Sequence, residues 1–425
     1  MTEATYSSAI EGPHGRCPTN FKYWESKDSP EWSKKRALFK KLTKHDLFPT
    51  DEQAQLLIED LFAGDPVAER FVGEVFFGEI GHQRGREMVQ QALDEGIDSV
   101  PDAPESMKAL FAEFETVPDW VDRDLVELGA SVWQRWGTML FSVAGAITLE
   151  IYTEGAVAMP LSLAGGYAGD NALRRFLETS RFWIDVSKPG GLFTPGSAGR
   201  ATAMQVRIMH VAVRKRVADH PDWDGDAWGL PISQTYEQMT QIGGSTVPAL
   251  QLWLLGYQTT PKEIRALIHF NRYMGHLLGV QPRWAPTTII ETIQTVAMTS
   301  AARTYDAGKV GAELIESFPA AFAPREGQKG LKRLRARYNH GVYSAYSRIW
   351  MQPATWKQYD MPSGWPWLLL LVARWPLVTV TELLRRLPVL KQLHAKTMEW
   401  HREAWWHAQM EGRQAEFDAS SSLRR

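Results

Sequence analysis

The sequence predicts an all-α protein, a single large helical domain with a C-terminal helical extension. Long segments place apolar residues three and four positions apart, and the alternating pattern of half-buried strands is scarce. No internal repeat and no low-complexity stretch divides the 425 residues into separate cores. The expected organisation is an irregular polar arm over 1–45, a helical domain over 46–325, and an extension over 326–425 packing on that domain.

Helical signals begin at Thr50, an N-cap residue followed by Asp51, Glu52 and Gln53. Further helices are expected near 67–78, 105–115, 123–160, 170–187, 199–218, 233–257, 261–279 and 285–306. Between them lie Pro101–Pro104, Lys188-Pro-Gly-Gly191 and Pro221-Asp-Trp-Asp-Gly225, all with turn chemistry. The helix from 261 has a capping box, Thr260-Pro261-Lys262-Glu263, and stops at Gly279. In the extension, a basic stretch Lys332–Arg337 precedes an apolar one, Trp365–Val380, that contains Pro366, Arg374 and Pro376. Two readings fit the apolar stretch: a buried core segment, or a helical hairpin over 365–390 making peripheral membrane contact.

Composition excludes several function classes. Forty-seven Lys+Arg against forty-nine Asp+Glu leave a net charge of -2, so no global basic field exists to hold nucleic acid. The single cysteine, Cys17, excludes an internal disulfide framework, a four-cysteine zinc site and an iron–sulfur cluster. Residues Met1–Phe21 carry no apolar secretion segment, which makes the cytoplasm the expected compartment. No H-E-x-x-H, G-x-S-x-G or C-x-x-C-H motif occurs among the eleven histidines and their surroundings. Glu-x-x-His occurs twice, at Glu11–His14 and Glu79–His82. The first holds Gly12 and Pro13 and so cannot be helical, which leaves a di-iron carboxylate site short of its second motif.

The helix over 199–218 is more informative. Ala203, Val206, His210, Val213 and Val217 follow one buried stripe, so one imidazole sits in an apolar seam with Arg207 and Arg214 at i−3 and i+4. That placement suits a core histidine bonded to a carbonyl. It equally suits an axial haem ligand with arginines one turn away for carboxylate-bearing propionates. On the helix from 261, Arg265, His269, Arg272 and His276 share a face that fits either an anion or solvent. Arg175 and Thr179, at i and i+4 beside Phe176, Phe182 and Trp183, make either a surface pair or a polar edge for a ligand.

These segments, taken in order, carry a resemblance. Arg174-Arg175-Phe-Leu-Glu-Thr179-Ser-Arg-Phe182, Pro189-Gly190-Gly191-Leu192 and Arg207-Ile-Met-His210-Val-Ala-Val-Arg214 are followed by Gly229-Leu-Pro231-Ile-Ser-Gln234 and Arg272-Tyr-Met-Gly275-His276-Leu-Leu-Gly279-Val280. Over about 120–300 this resembles the MpaB-type oxygenases, the family that includes the latex clearing proteins (rubber oxygenases). The resemblance implies a globin-like α core with one b-type haem, His210 as the iron ligand, and oxidative cleavage of a C=C bond with O2. It implies Arg175 and Thr179 on the distal side and Arg207, Arg214, Arg272 and His276 near the propionates. The family's catalytic glutamate has its nearest counterparts in Glu150 and Glu154, and Glu154 is the candidate. Glu178 stands where the rubber oxygenases carry a lysine. The expected activity is a haem-dependent oxygenase acting with O2 on an unsaturated hydrophobic molecule, prenyl or lipid-like. The alternatives are a non-catalytic haem- or lipid-binding protein and a di-iron enzyme.

Overall fold

The computed structural model describes residues 11–12, 15–164 and 171–410. It is all-α apart from a two-stranded ribbon, Glu11–Gly12 against Gly15–Arg16. Four expected helices appear within a residue or two of their expected bounds: Glu105–Glu115, Ala172–Val186, Ala198–Ala218 and Pro261–Leu277. Each predicted cap is present, with full capping boxes at Thr50/Gln53 and Thr260/Glu263.

Elsewhere the periodicity ran across breaks. The 123–160 segment is three helices, Arg123–Arg135, Met139–Thr148 and Gly155–Leu163, the first break being a left-handed turn at Gly137. The 233–257 segment divides at Ser245 into Gln234–Gly244 and Thr246–Leu252. Several helices went unrecognised, among them Gly308–Ala320. Pro30–Thr43 lies in the supposedly irregular arm, where Ser29 caps the Trp32 amide and Pro30 opens the helix. It buries no residue, so no apolar stripe marks it. Gly81–Glu95 follows a π-turn over Val72–Phe76 that shifts its phase. The arm is also tied to the body, because Phe21 and Tyr23 are buried in a small apolar cluster with Leu57 and Met298.

The main core is a tryptophan-rich layer in which Trp133 stacks on Trp183, ring centroids 5.2 Å apart. Helix Arg123–Arg135 lies directly against Pro261–Leu277. A Cβ on Gly129 would stand 2.3 Å from the Ala266 carbonyl oxygen, so the crossing requires glycine there.

The end of the chain packs on the same core. Arg402 is fully buried and donates to Ser187 Oγ, and Trp406 Nε1 donates to the Leu177 carbonyl. Glu403 receives Arg181 at 2.7 Å and Lys188 at 2.9 Å. Burial opposes its charge, but hydrogen bonds from Arg181 and Lys188 prevail and draw its carboxyl down to about 2. The folded value lies below an unfolded value of about 4.3. The stabilisation it supplies is therefore complete above that value and is lost as pH falls towards 2. Hydrogen exchange is expected to show the Pro388–Met410 helix loosening in this window, and Glu403→Gln to remove the transition. Equal pH dependence in both proteins would contradict the assignment.

The apolar stretch in the extension is not a core segment. It forms one helix, Trp365–Leu384, long and apolar enough to cross a membrane, yet only 11% of its apolar window is buried. The buried-core reading is corrected.

Candidate functional site

Helix Ala198–Ala218 starts at Ser197, whose hydroxyl accepts the Arg200 amide, and its last turn carries Lys215 and Arg216. Ala203, Val206, Val213 and Val217 are buried as the stripe requires. His210 breaks the seal, with 29% of its side chain exposed. Its Nδ1 lies 2.6 Å from Oε1 of Glu237, a buried carboxylate on helix Gln234–Gly244. An ionised carboxylate accepts only, so in the neutral ring Nδ1 carries the proton and Nε2 holds the lone pair. Nε2 has no protein hydrogen-bond partner among the described residues. The site therefore presents one oriented imidazole lone pair at a gap in an apolar seam.

The two arginines flanking His210 have internal partners. Arg207 binds Asp65 through Nε at 2.7 Å and Nη2 at 3.0 Å, and binds Glu113 at 2.6 Å. Arg214 reaches Glu69 at 3.0 Å, Glu237 at 3.3 Å and the Ile232 carbonyl at 2.6 Å. Ile232 adopts φ +51°, unusual for a β-branched residue, and its carbonyl takes both Nε and Nη2 of Arg214. Two guanidiniums thus face four carboxylates. In the structure both arginines bind carboxylates of the chain and brace the histidine helix.

Other residues of the sequence motifs join this network. Gln234 donates to the Gly64 and Gly279 carbonyls at 2.7 and 2.8 Å and accepts the Gln281 amide at 2.6 Å. Gly279 has φ +74°, and a Cβ there would stand 2.0 Å from Asp65 Oδ2. Gly279→Ala combines a left-handed conformation with a strike on the Asp65–Arg207 pair, and is expected to cost at least about 1–3 kcal/mol. Chemical denaturation checks this, and an unchanged midpoint would contradict it.

The remaining candidates fall in three separate places. Arg175 and Arg174 both bind Glu178, at 3.1 and 2.9 Å, while the Thr179 hydroxyl donates to the Arg175 carbonyl at 3.1 Å. Glu178 is buried, and it balances Arg175 where a lysine would have added charge. Glu154 accepts the Thr304 and Tyr305 amides at 3.1 and 3.2 Å, and the Thr153 hydroxyl donates to it at 3.3 Å. Burial raises its pKa, but its oxygens serve to fix the 304–305 turn. In the structure Glu154 anchors this turn, and Glu150 is likewise bound to Arg303 and Thr355.

Arg272 and His276 line a cavity of about 390 Å³ together with Trp120, Asn271, Gln238 and Gln241. No residue of the His210 helix contributes to its wall. Arg272 lies 4.2 Å over the Trp120 ring, and His276 Nε2 is 3.3 Å from the Thr116 carbonyl. Burial lowers the pKa of both. His269, on the same face, accepts the Asp122 amide. Of the two Glu-x-x-His motifs, His14 lies outside the described residues, and His82 Nε2 stands 3.1 Å from Arg216. Among the described residues no three His, Cys, Asp or Glu side chains converge to hold a bare metal ion.

Glu237, Asp65 and Glu113 were missed by sequence reasoning. Glu237 reads as an ordinary first-turn acid, and Asp65 as an N-cap for Pro66–Phe71, which it also is. Nothing local reveals their long-range partners.

The architecture and the site together define a class: a helical protein with one partly exposed histidine oriented by a buried carboxylate. Residues 130–382, more than half of the chain, match the family described as ER-bound oxygenase mpaB/B'/Rubber oxygenase, catalytic domain, and the chain belongs to that family. It is 24% identical over 203 residues to the rubber oxygenase of Streptomyces sp. (strain K30), a match covering 47% of each protein. The chain thus spans about half the length of that curated relative. A solved structure of the latex clearing protein in its closed state shares the fold, with a TM-score of 0.53 at 20% identity over 85% of this chain and 94% of that one.

Proposed function

We propose that this protein is a haem-dependent oxygenase that uses O2 on an unsaturated hydrophobic substrate of prenyl or lipid-like character. The observation that carries this reading is the His210–Glu237 pair, with Nε2 of His210 left to the ligand side. A single imidazole holds iron only when a macrocycle supplies the other ligands, and the lack of a converging set of protein ligands among the described residues fits haem b better than a bare ion. When bound, haem supplies the iron that activates O2.

The chain's own contribution is orientation and electrostatics. Glu237 fixes the tautomer and ring plane of His210 and increases the electron-donating strength of Nε2. The Arg207–Asp65–Glu113 and Arg214–Glu69 groups hold the helix register that places the histidine. Arg175 and Thr179 are the proposed distal pair, with Glu178 setting the direction of the Arg175 guanidinium.

The test is aerobic incubation of haem-loaded protein with squalene and, separately, dispersed cis-polyisoprene, followed by oxygen uptake and carbonyl trapping with a hydrazine reagent. Oxygen consumption with aldehyde or ketone products supports the oxygenase. Bound haem with no product from either olefin favours the second reading, a non-catalytic haem or lipid carrier, which Glu178 in place of a lysine motivates.

A further inference from the structure

Helix Trp365–Leu384 is inverted relative to a soluble surface helix. Trp365, Leu369, Val372, Val380 and Leu383 lie on one exposed stripe, where a globular protein in water carries polar residues. Trp365, Leu369, Val372, Leu377, Val389 and Leu393 each leave between 61% and 78% of their surface uncovered. The turn Trp253–Leu255 packs beside this helix and exposes Trp253 and Leu254, which enlarges the same apolar face. A contiguous patch of this kind marks an interaction surface.

The helix cannot roll to hide it. Its inner face is locked by Trp367, whose ring occupies the space where a Cβ on Gly341 would be, and by the buried Leu371. Near its C-terminus Glu382 is sealed between Arg135 at 3.1 Å and Arg385 at 3.0 Å, and accepts the Gln258 amide at 3.0 Å. Arg135 in turn binds Glu263 at 2.6 Å.

Charge around the patch selects the occupant. Between Gly327 and Met398 the sequence has twelve Lys and Arg but two acids, Asp360 and Glu382, the second buried in ion pairs. This contrasts with a net charge of -2 for the whole chain. Lys332, Arg333, Arg335 and Arg337 are exposed on the adjacent helix Gly330–Trp350, and Arg386, Lys391 and Lys396 lie just beyond the stripe. A second copy would bring an equally basic rim against this one in a two-fold contact, which is repulsive. An anionic lipid leaflet matches both the apolar face and the basic rim. Exposed Trp365, Trp253 and Trp400 suit the headgroup boundary.

Twenty residues span about 30 Å, the thickness of a bilayer core. A spanning pose would nevertheless place Arg374, the tenth residue of the helix, at the bilayer centre, and would strip away the helix's packing on the fold. Arg374 instead donates to the Tyr338 hydroxyl at 3.1 Å. We propose that Trp365–Leu384 and the start of Pro388–Met410 lie in the plane of an anionic membrane surface, apolar stripe inward. This goes beyond the proposed function and does not depend on haem, so the two can fail separately.

The test is co-sedimentation of the full-length chain with phosphatidylcholine vesicles containing about one-third phosphatidylglycerol, beside pure phosphatidylcholine, at low and high salt. Binding to the anionic vesicles, weakened by salt and accompanied by a blue shift of tryptophan emission, is expected. The pair Val372→Glu and Val380→Glu should reduce it about tenfold or more, as should Lys332→Glu with Arg333→Glu. Circular dichroism and the melting temperature confirm that these exposed changes leave the fold intact. Protein remaining in the supernatant at every composition overturns the proposal. So does salt-insensitive binding to neutral vesicles, or a dimer in light scattering that Val372→Glu dissociates.

Discussion

Arg207→Met is expected to destabilise the protein by about 3–5 kcal/mol, because it leaves Asp65 charged and buried without its partner. Arg207 is 1% exposed and binds Asp65 through two nitrogens, with Glu113 as a second acceptor. The methionine fills most of the volume, so the loss is electrostatic rather than a cavity. Asp65→Asn added to Arg207→Met should recover part of the loss, since the uncompensated charge is then gone. Full recovery is not expected, because Asp65 also caps the Pro66–Phe71 helix through the Ala68 amide. Denaturant unfolding of the three variants checks this. A single-variant effect below about 1 kcal/mol would show that the pair is solvated and that the motif arginine has another purpose.

Glu237→Leu is expected to weaken the proposed haem binding about 10–100-fold while His210 remains in place. The carboxylate holds Nδ1 at 2.6 Å, so its removal frees the ring to rotate and lowers its basicity. Glu237→Gln separates the two effects. An amide oxygen still accepts the Nδ1 proton but carries no charge, so haem should be retained with a higher reduction potential. Arg214 keeps Glu69 and the Ile232 carbonyl in either variant, so the fold should persist. Unchanged haem affinity and potential in both variants would show that Glu237 does not act through His210. Haem titration followed by absorbance, with a redox titration, provides both readouts.

Local chemistry was legible wherever it was local. The Thr260-Pro261-Lys262-Glu263 box and the stripe of helix Ala198–Ala218 could be read directly, since capping and periodicity depend on neighbours three or four residues apart. The family also followed from ordered motifs. What escaped were the internal partners of the arginines: the carboxylates that Arg207 and Arg214 bind belong to Asp65, Glu69, Glu113 and Glu237, on other elements of the chain. Arg272 and His276 were grouped with His210 through the resemblance, and the fold places them around a cavity to which the His210 helix contributes no residue. Helix Gly81–Glu95 was hidden because the preceding π-turn breaks the 3.6-residue phase. For Trp365–Leu384, composition gave the apolar character but not its exposure, which depends on the inner face being fixed by Trp367 and Glu382.

The most direct measurement of the central claim is the absorption spectrum of the protein produced with haem supply, recorded beside His210→Ala. The account expects a Soret band and about one haem per chain in the parent, with the band lost in a variant that still folds by circular dichroism. A parent protein without a Soret band, or a variant that keeps it unchanged, would contradict His210 as the haem ligand.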